Sequence, residues 1–314
     1  LWKKQCFLQI FLSFDRVEIL SYAFEIEFIC RLHYLSKITE DASIAMVKNL
    51  IDYKLYNLMM GRDVNFRFSD LSSVFSYPNP LKYFKRIFQQ GDLFVPDRIK
   101  KVKPIINIAT HDVLSMSLPI QKALEKRLTF IEVVRHPLFM IIQQFFNLER
   151  LLFNPRDVQI HFEYKKNQLP YFVNGWEELF LKSNNIDRTI YSMERQINLT
   201  EKFKKNYKYN ITTIPFEHFV KSPYHYIGLI ENSAKTAKTK ITEKVMRKQK
   251  VPRENIVDGL SLDIYKRCGW VPPKNGLSEC EEYMIRRKFA VDQGASKKAI
   301  KTLDLLSEKY EGTY

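Results

Sequence analysis

Glycine is scarce in this sequence, nine residues in 314, where about 7% would be usual. No two glycines stand at Gly-x-Gly spacing. Within these residues that excludes the dinucleotide fingerprint, the protein-kinase glycine loop and a complete Walker A loop. There is no His-Glu-x-x-His and no Cys-x-x-Cys. The four cysteines, Cys6, Cys30, Cys268 and Cys280, are far apart. They read as reduced thiols of a cytoplasmic protein, not as a disulfide framework or a zinc site. No apolar run approaches the ~20 residues of a membrane span. The opening patch, residues 1–14, is interrupted by Gln9 and has no small-residue cleavage site. Its spacing predicts a short buried helix. The chain opens on Leu1 instead of Met, so upstream residues are expected to be missing, and any membrane anchor would lie with them.

Positive charge is abundant. Lys and Arg number 50 against 35 Asp and Glu, a net charge of +15. Such a chain attracts polyanions: nucleic acid, anionic lipid or a multiply phosphorylated small molecule. A basic surface also serves solubility alone. Apolar residues at 45% and charged ones at 27% place the chain in the globular class.

Residues 17–21 read as a short strand. Residues 23–60 carry a helical pattern, with Thr39 capping a second helix that has Glu40 and Asp41 in its first turn. Residues 61–100 are punctuated by proline around a short basic helix near 81–88. Residues 104–109 predict a buried strand, 119–127 a helix, 129–134 a second strand and 138–152 a helix led by Pro137. Strand, helix, strand, helix at this spacing is a βαβ unit of a parallel sheet. A β-hairpin insertion is expected over residues 156–174, with strands at 158–163 and 170–173. Helices follow at 176–182 and 187–207, then a core strand at 210–215. The stretch 255–314 is expected to be mainly helical, broken near Gly294. The whole chain is read as a single domain.

Ligands of open parallel sheets gather at the carboxyl ends of strands. Three strands here end in polar residues: Thr110-His111-Asp112, Arg135-His136, and Phe216-Glu217-His218 after Pro215. Each residue alone also reads as an ordinary loop residue leaving a strand.

These strand ends resemble the sulfotransferase family, whose members move a sulfuryl group from 3′-phosphoadenosine 5′-phosphosulfate (PAPS) to an acceptor. The run Phe130-Ile-Glu-Val-Val-Arg-His-Pro137 is similar to the family's 3′-phosphate motif of strand, Arg-x-Pro and helix. Thr110-His111 stands where many members carry Lys-Thr-His, with Ala109 in place of the Lys. Phe216-Glu-His-Phe219 with Pro223 is similar to the adenine-pocket strand end, and Met246-Arg-Lys-Gln249 to a stretch that grips the 3′-phosphate. Gln143 occupies the position of a family Ser and can still donate a hydrogen bond. The resemblance covers residues 100–253, and the family's phosphosulfate loop has no counterpart here.

The resemblance implies a P-loop-like three-layer α/β fold, a central parallel sheet flanked by helices. It implies PAPS as co-substrate, no metal, and a hydroxyl acceptor, with carbohydrates among the candidates. Arg135, Gln143, Phe216, Arg247 and Lys248 become the cofactor-binding candidates. His111 is the candidate general base, since a neutral imidazole takes a proton near neutral pH. Glu25 is the second candidate. His33, His161 and His225 read as structural, His136 as orienting its loop, and Tyr171, Phe172 and Trp176 as acceptor-cleft or core aromatics. Two rivals remain. One is a P-loop small-molecule kinase, which needs a Walker A lysine and Mg²⁺ ligands. The other is a nucleic-acid-binding protein, against which the basic run 235–253 counts because it holds no aromatic residue.

Overall fold

A computed structural model describes residues 4–68, 70–153, 159–257 and 276–314. It is mixed α/β and predominantly helical. Its contacts cluster into two compact units where the sequence predicts a single domain. Unit 1 holds residues 1–131, 210–212 and 222–252; unit 2 holds 132–209, 213–221 and 253–314.

Unit 1 is built on β1 (Val17–Tyr22) and β2 (Ile105–Ala109), which run parallel, with Tyr22 opposite Ala109 at the carboxyl end. Val17, Glu18, Ile19 and Leu20 are all buried. Both faces of β1 are therefore covered, which suits a parallel strand. The helices are α1 (Lys4–Phe11), α2 (Phe24–Tyr34), α3 (Glu40–Met60), α4 (Leu81–Ile87), α5 (Val95–Val102), α6 (Leu118–Leu124), and α11 and α12 at Pro223–Ala234 and Thr242–Lys248. The Thr39 side chain accepts from the Ala42 N–H and starts α3, and Gly61 at φ +85° ends it in the left-handed region. Helix α3 packs on α2, α5 and α6, and α1 on α12.

Unit 2 contains α7 (Pro137–Phe153), α8 (Glu177–Lys182), α9 (Asn185–Asn206), α10 (Phe216–Lys221), α13 (Glu279–Asp292) and α14 (Lys297–Thr313). Pro137 sits at the first position of α7, where its missing N–H costs nothing. The core of unit 2 joins Leu138, Ile141 and Ile142 of α7, Ile186 and Ile190 of α9, Ala290 of α13 and Leu303 of α14. Gly294, at φ +79°, makes the break between α13 and α14. Ser278 and Glu281 form a reciprocal capping box at the start of α13.

The strands of the described residues form three two-stranded sheets: β1 with β2, β3 (Phe130–Val134) with β6 (Ile211–Pro215), and the two strands of the hairpin with each other. One expectation is corrected, the bounds of that hairpin. Its strands are β4 (His161–Tyr164) and β5 (Asn167–Pro170), joined by Lys165 and Lys166. Both lysines have positive φ, the conformation that closes a tight two-residue hairpin. Pro170 has no N–H to continue the ladder, and Tyr171–Val173 is a 3₁₀ turn, not a strand. The expected strand start at 158, the insertion's first residues and much of 255–314 lie outside the described residues.

Glu18 is the charge buried in β1, with no side-chain exposure. Arg86 of α4 meets it with both terminal nitrogens, at 2.9 and 2.8 Å. Tyr83 donates its O–H to the same carboxylate at 2.7 Å and Lys82 approaches at 2.9 Å. Burial pushes the Glu18 pKa up, but the Arg86 hydrogen bond and the Lys82 and Arg86 charges outweigh it and leave it lowered. The stabilisation is therefore present above the unfolded carboxyl pKa, near ~4.3, and is lost as pH falls through the lower folded value. Glu18→Gln leaves Arg86 buried without its anion. It should cost about 3–5 kcal/mol in urea unfolding, and most of that difference should vanish at low pH. A loss under about 1 kcal/mol would show that α4 is held by packing alone.

Candidate functional site

Unit 1 places His111 two residues beyond the end of β2. Its ring Nδ1 lies 2.8 Å from Glu27 Oε1, and its backbone N–H donates to the same oxygen at 2.9 Å. Glu27 projects from α2 and is 1% exposed. Its other oxygen accepts from Arg31 Nη2 at 2.7 Å, one helical turn on. An ionised carboxylate only accepts hydrogen bonds. The proton of neutral His111 therefore sits on Nδ1, and Nε2 is the nitrogen with a lone pair. The pair has the logic of a carboxylate that orients a histidine base and stabilises it once charged.

Aromatic rings flank the imidazole. Tyr22, the last residue of β1, lies with its ring centroid 6.2 Å away at 10° between planes; Phe24, opening α2, lies at 5.8 Å and 11°. Burial, with a smaller effect of the Asp70 charge, pushes the Tyr22 phenol up, so it remains a donor. The His111 side chain is 25% exposed, so the imidazole reaches solvent at the carboxyl end of the parallel pair.

Sequence reasoning chose His111 but missed its partner. Glu25 is exposed on the first turn of α2, while Glu27 is the buried carboxylate. The signal was legible: Glu27 and Arg31 stand i, i+4 on the same face as buried Ile26 and Cys30. Arg247 and Lys248 are exposed in the last turn of α12, beside Met246, which is 1% exposed. Cations there also suit the helix C-terminus.

Unit 2 holds Arg135, Gln143 and Phe216. Arg135 Nε donates to Glu217 Oε1 at 3.0 Å, and Nη2 lies 3.0 Å from the same atom. Its guanidinium stands 4.9 Å from the Phe216 ring centroid and 5.5 Å from that of Phe139. Phe216 is fully buried. The second Glu217 oxygen accepts from the His136 N–H at 3.2 Å and from the Tyr310 O–H at 2.8 Å. A phosphate at Arg135 would have to share the guanidinium with Glu217, which already balances its charge. Phe216, expected at an adenine pocket, is a buried ring with the Arg135 guanidinium beside it. Gln143 is half-buried on α7. Tyr171 is buried; Phe172 and Trp176 pack beside the small core of Leu148, Leu169, Val173 and Phe180.

His136 is fully buried against the Tyr283 ring, with centroids 4.2 Å apart. Its Nδ1 accepts from the Leu138 N–H at 3.2 Å, which leaves the proton on Nε2, 3.1 Å from Glu311 Oε1. Burial lowers its pKa despite Glu311 and Glu217. His136 thus orients the start of α7, as its sequence position suggests.

Among the described residues no group of three or more His, Cys, Asp or Glu is placed to hold a metal ion. No described helix is long and apolar enough to cross a membrane. Compared with known protein families, curated proteins and solved structures, the chain matches none.

Two outcomes follow from these geometries. Long-range ¹H–¹⁵N spectra should show neutral His111 as the Nδ1–H tautomer and His136 as Nε2–H. Glu27→Gln should let the His111 tautomers mix; an unchanged spectrum would mean Glu27 does not set the ring. For His136, the unfolded state binds its proton first as pH falls below ~6.5. Stability should therefore decline from there toward the lower folded pKa. His136→Gln should flatten that decline in thermal melts between pH 7 and 5.

Proposed function

We propose that this chain belongs to a group-transfer enzyme of the sulfotransferase kind, in which His111 activates an acceptor hydroxyl and PAPS is the donor. The observation that carries the reading is the Glu27–His111 pair at the carboxyl end of the β1–β2 ladder. It is a built base: a buried carboxylate, itself held by Arg31, fixes one imidazole nitrogen and leaves the other its lone pair, in a side chain that is one-quarter exposed. The proposed fold is the P-loop-like three-layer arrangement, and the parallel β1–β2 pair supports it.

In the proposed reaction the acceptor O–H donates to His111 Nε2. As the acceptor oxygen bonds to sulfur, its proton passes to Nε2. The bond from sulfur to the bridging phosphosulfate oxygen breaks, and 3′-phosphoadenosine 5′-phosphate leaves with that electron pair. Glu27 accepts from Nδ1–H throughout and offsets the new imidazolium charge. Such transfers depend on positioning and on charge at peripheral oxygens. The exposed cations Arg247 and Lys248 are the proposed contacts for donor phosphates. Arg135 is a weaker choice because Glu217 already engages it. The acceptor is a hydroxyl compound, with carbohydrates among the candidates.

The test is sulfuryl transfer from labelled PAPS to a panel of hydroxyl acceptors, with calorimetry of 3′-phosphoadenosine 5′-phosphate binding. His111→Ala should lower kcat about 10²–10⁴-fold and leave nucleotide affinity nearly unchanged. Loss of affinity with intact kcat would place His111 at the donor. No binding at millimolar nucleotide by the folded chain would overturn the donor assignment.

A further inference from the structure

A string of aromatic side chains stands in solvent on unit 1. Phe68 is 80% exposed, Phe88 88%, and Phe66 and Phe75 nearly half. The rings touch in sequence: Phe68 to Phe75 with centroids at 5.4 Å, Phe75 to Phe84 at 6.2 Å and Phe84 to Phe66 at 5.7 Å. Leu81 and Phe84 continue the string along α4 at i and i+3, and Phe88, the residue that caps the helix, follows at i+7. The opposite face of α4 cannot rotate outward, because Tyr83 and Arg86 are tied to buried Glu18. The apolar stripe is therefore held outward by a buried ion pair. Single exposed apolar residues are ordinary, but a contiguous group of phenylalanines this exposed marks an interaction surface.

The surroundings of the patch select its occupant. Residues 61–103 contain nine Lys and Arg against four Asp, and no Glu. Arg62, Arg67 and Lys85 are exposed beside the rings in the chain, with Asp70 lying 3.4 Å from Arg67 Nε. A second copy of this chain would bring the same positive charge to the same place, which disfavours self-pairing. A protein partner would need a fitted pocket around side chains that stand almost clear of their own fold. A bilayer interface needs no such fit. It accepts separate protruding rings at the headgroup level and offers anionic headgroups to the cations. We propose that this face docks the protein peripherally on an anionic membrane, with Phe68 and Phe88 entering the interface and Arg62, Arg67 and Lys85 meeting acidic headgroups.

The experiment is co-sedimentation of the chain with vesicles of phosphatidylcholine alone or with about 30% phosphatidylglycerol, a common anionic mixture. The chain should bind the anionic vesicles and leave the neutral ones largely free. Phe68→Ser with Phe88→Ser should weaken vesicle binding about tenfold or more while circular dichroism stays unchanged, since both side chains are exposed. In Phe68→Trp, the added fluorescence should shift to the blue on anionic vesicles. Three outcomes would overturn the proposal. One is no binding at millimolar lipid. Another is binding that the Phe→Ser pair leaves intact and ~0.5 M salt abolishes, which is charge attraction alone. The third is a dimer in solution that the Phe→Ser pair dissociates, which assigns the patch to a second copy.

Discussion

The candidate site depends on one constraint: the Glu27 carboxylate is buried and must be fully satisfied where it lies. An ionised carboxylate away from water is strongly unfavourable unless cations and donors surround it. Helix α2 supplies one cation itself, because Arg31 falls one turn beyond Glu27. The remaining donors come from the residue that leaves β2, through both the backbone N–H and the ring of His111. The same three contacts that satisfy the carboxylate fix the first turns of α2 against the end of the parallel ladder. They also choose the tautomer of the imidazole. Local folding and the proposed chemistry therefore rest on one group, and the base is oriented before any acceptor arrives.

The rule recurs at three further buried carboxylates. Glu18 ties α4 to β1 through Arg86, Tyr83 and Lys82. Glu217 ties β3 and α7 to α10 and α14 through Arg135, His136 and Tyr310. Glu282 is paired with Arg286 one turn on, whose guanidinium lies 4.7 Å from the Phe139 ring centroid. Three of these centres include a tyrosine or histidine as a further donor, so each is a hydrogen-bonded network and not a bare pair. Removing one member strands a charge, which is costlier than the loss of one contact. The arrangement specifies register: only one rotation of α4 or α10 brings the right donors to the carboxylate.

Much of this was legible in the sequence because it is local. Thr39 ahead of Glu40 and Asp41 announced α3, Pro137 announced α7, and Gly294 marked the break between α13 and α14. The apolar runs before His111 and Arg135 gave β2 and β3, and their polar ends drew attention to His111. What the sequence reading missed is nonlocal. It set Glu25, with a solvated helix position as its ordinary reading, second to His111 and passed over Glu27, which helical rotation buries. It took Arg135 as a phosphate ligand from the resemblance of Arg-His-Pro to the family motif; Glu217, 82 residues away in the chain, comes near it only on folding. The hairpin shifted because two consecutive lysines adopt positive φ, which Lys does not advertise. Nothing local marks the outward phenylalanines, since composition does not say which side of α4 the Glu18 pair pulls inward.

The pairing of buried charges also decides where the excess positive charge acts. Arg31, Arg86, Arg135 and Arg286 each face a carboxylate, so the interior contributes little to the +15. The surplus lies on exposed side chains, among them Arg62, Arg67 and Lys85 around α4, and Lys244, Arg247, Lys248 and Lys250 around α12. Exposed cations attract anions over about a Debye length and lose that reach in salt. Buried, paired cations do neither; they hold geometry. A polyanionic donor or an acidic surface would thus be drawn by the exposed lysines and arginines. The neutralised centres at Glu27 and Glu217 would keep their shape as it arrives. On this division Arg135 is a structural cation first, and any phosphate it contacts must compete with a carboxylate already in place.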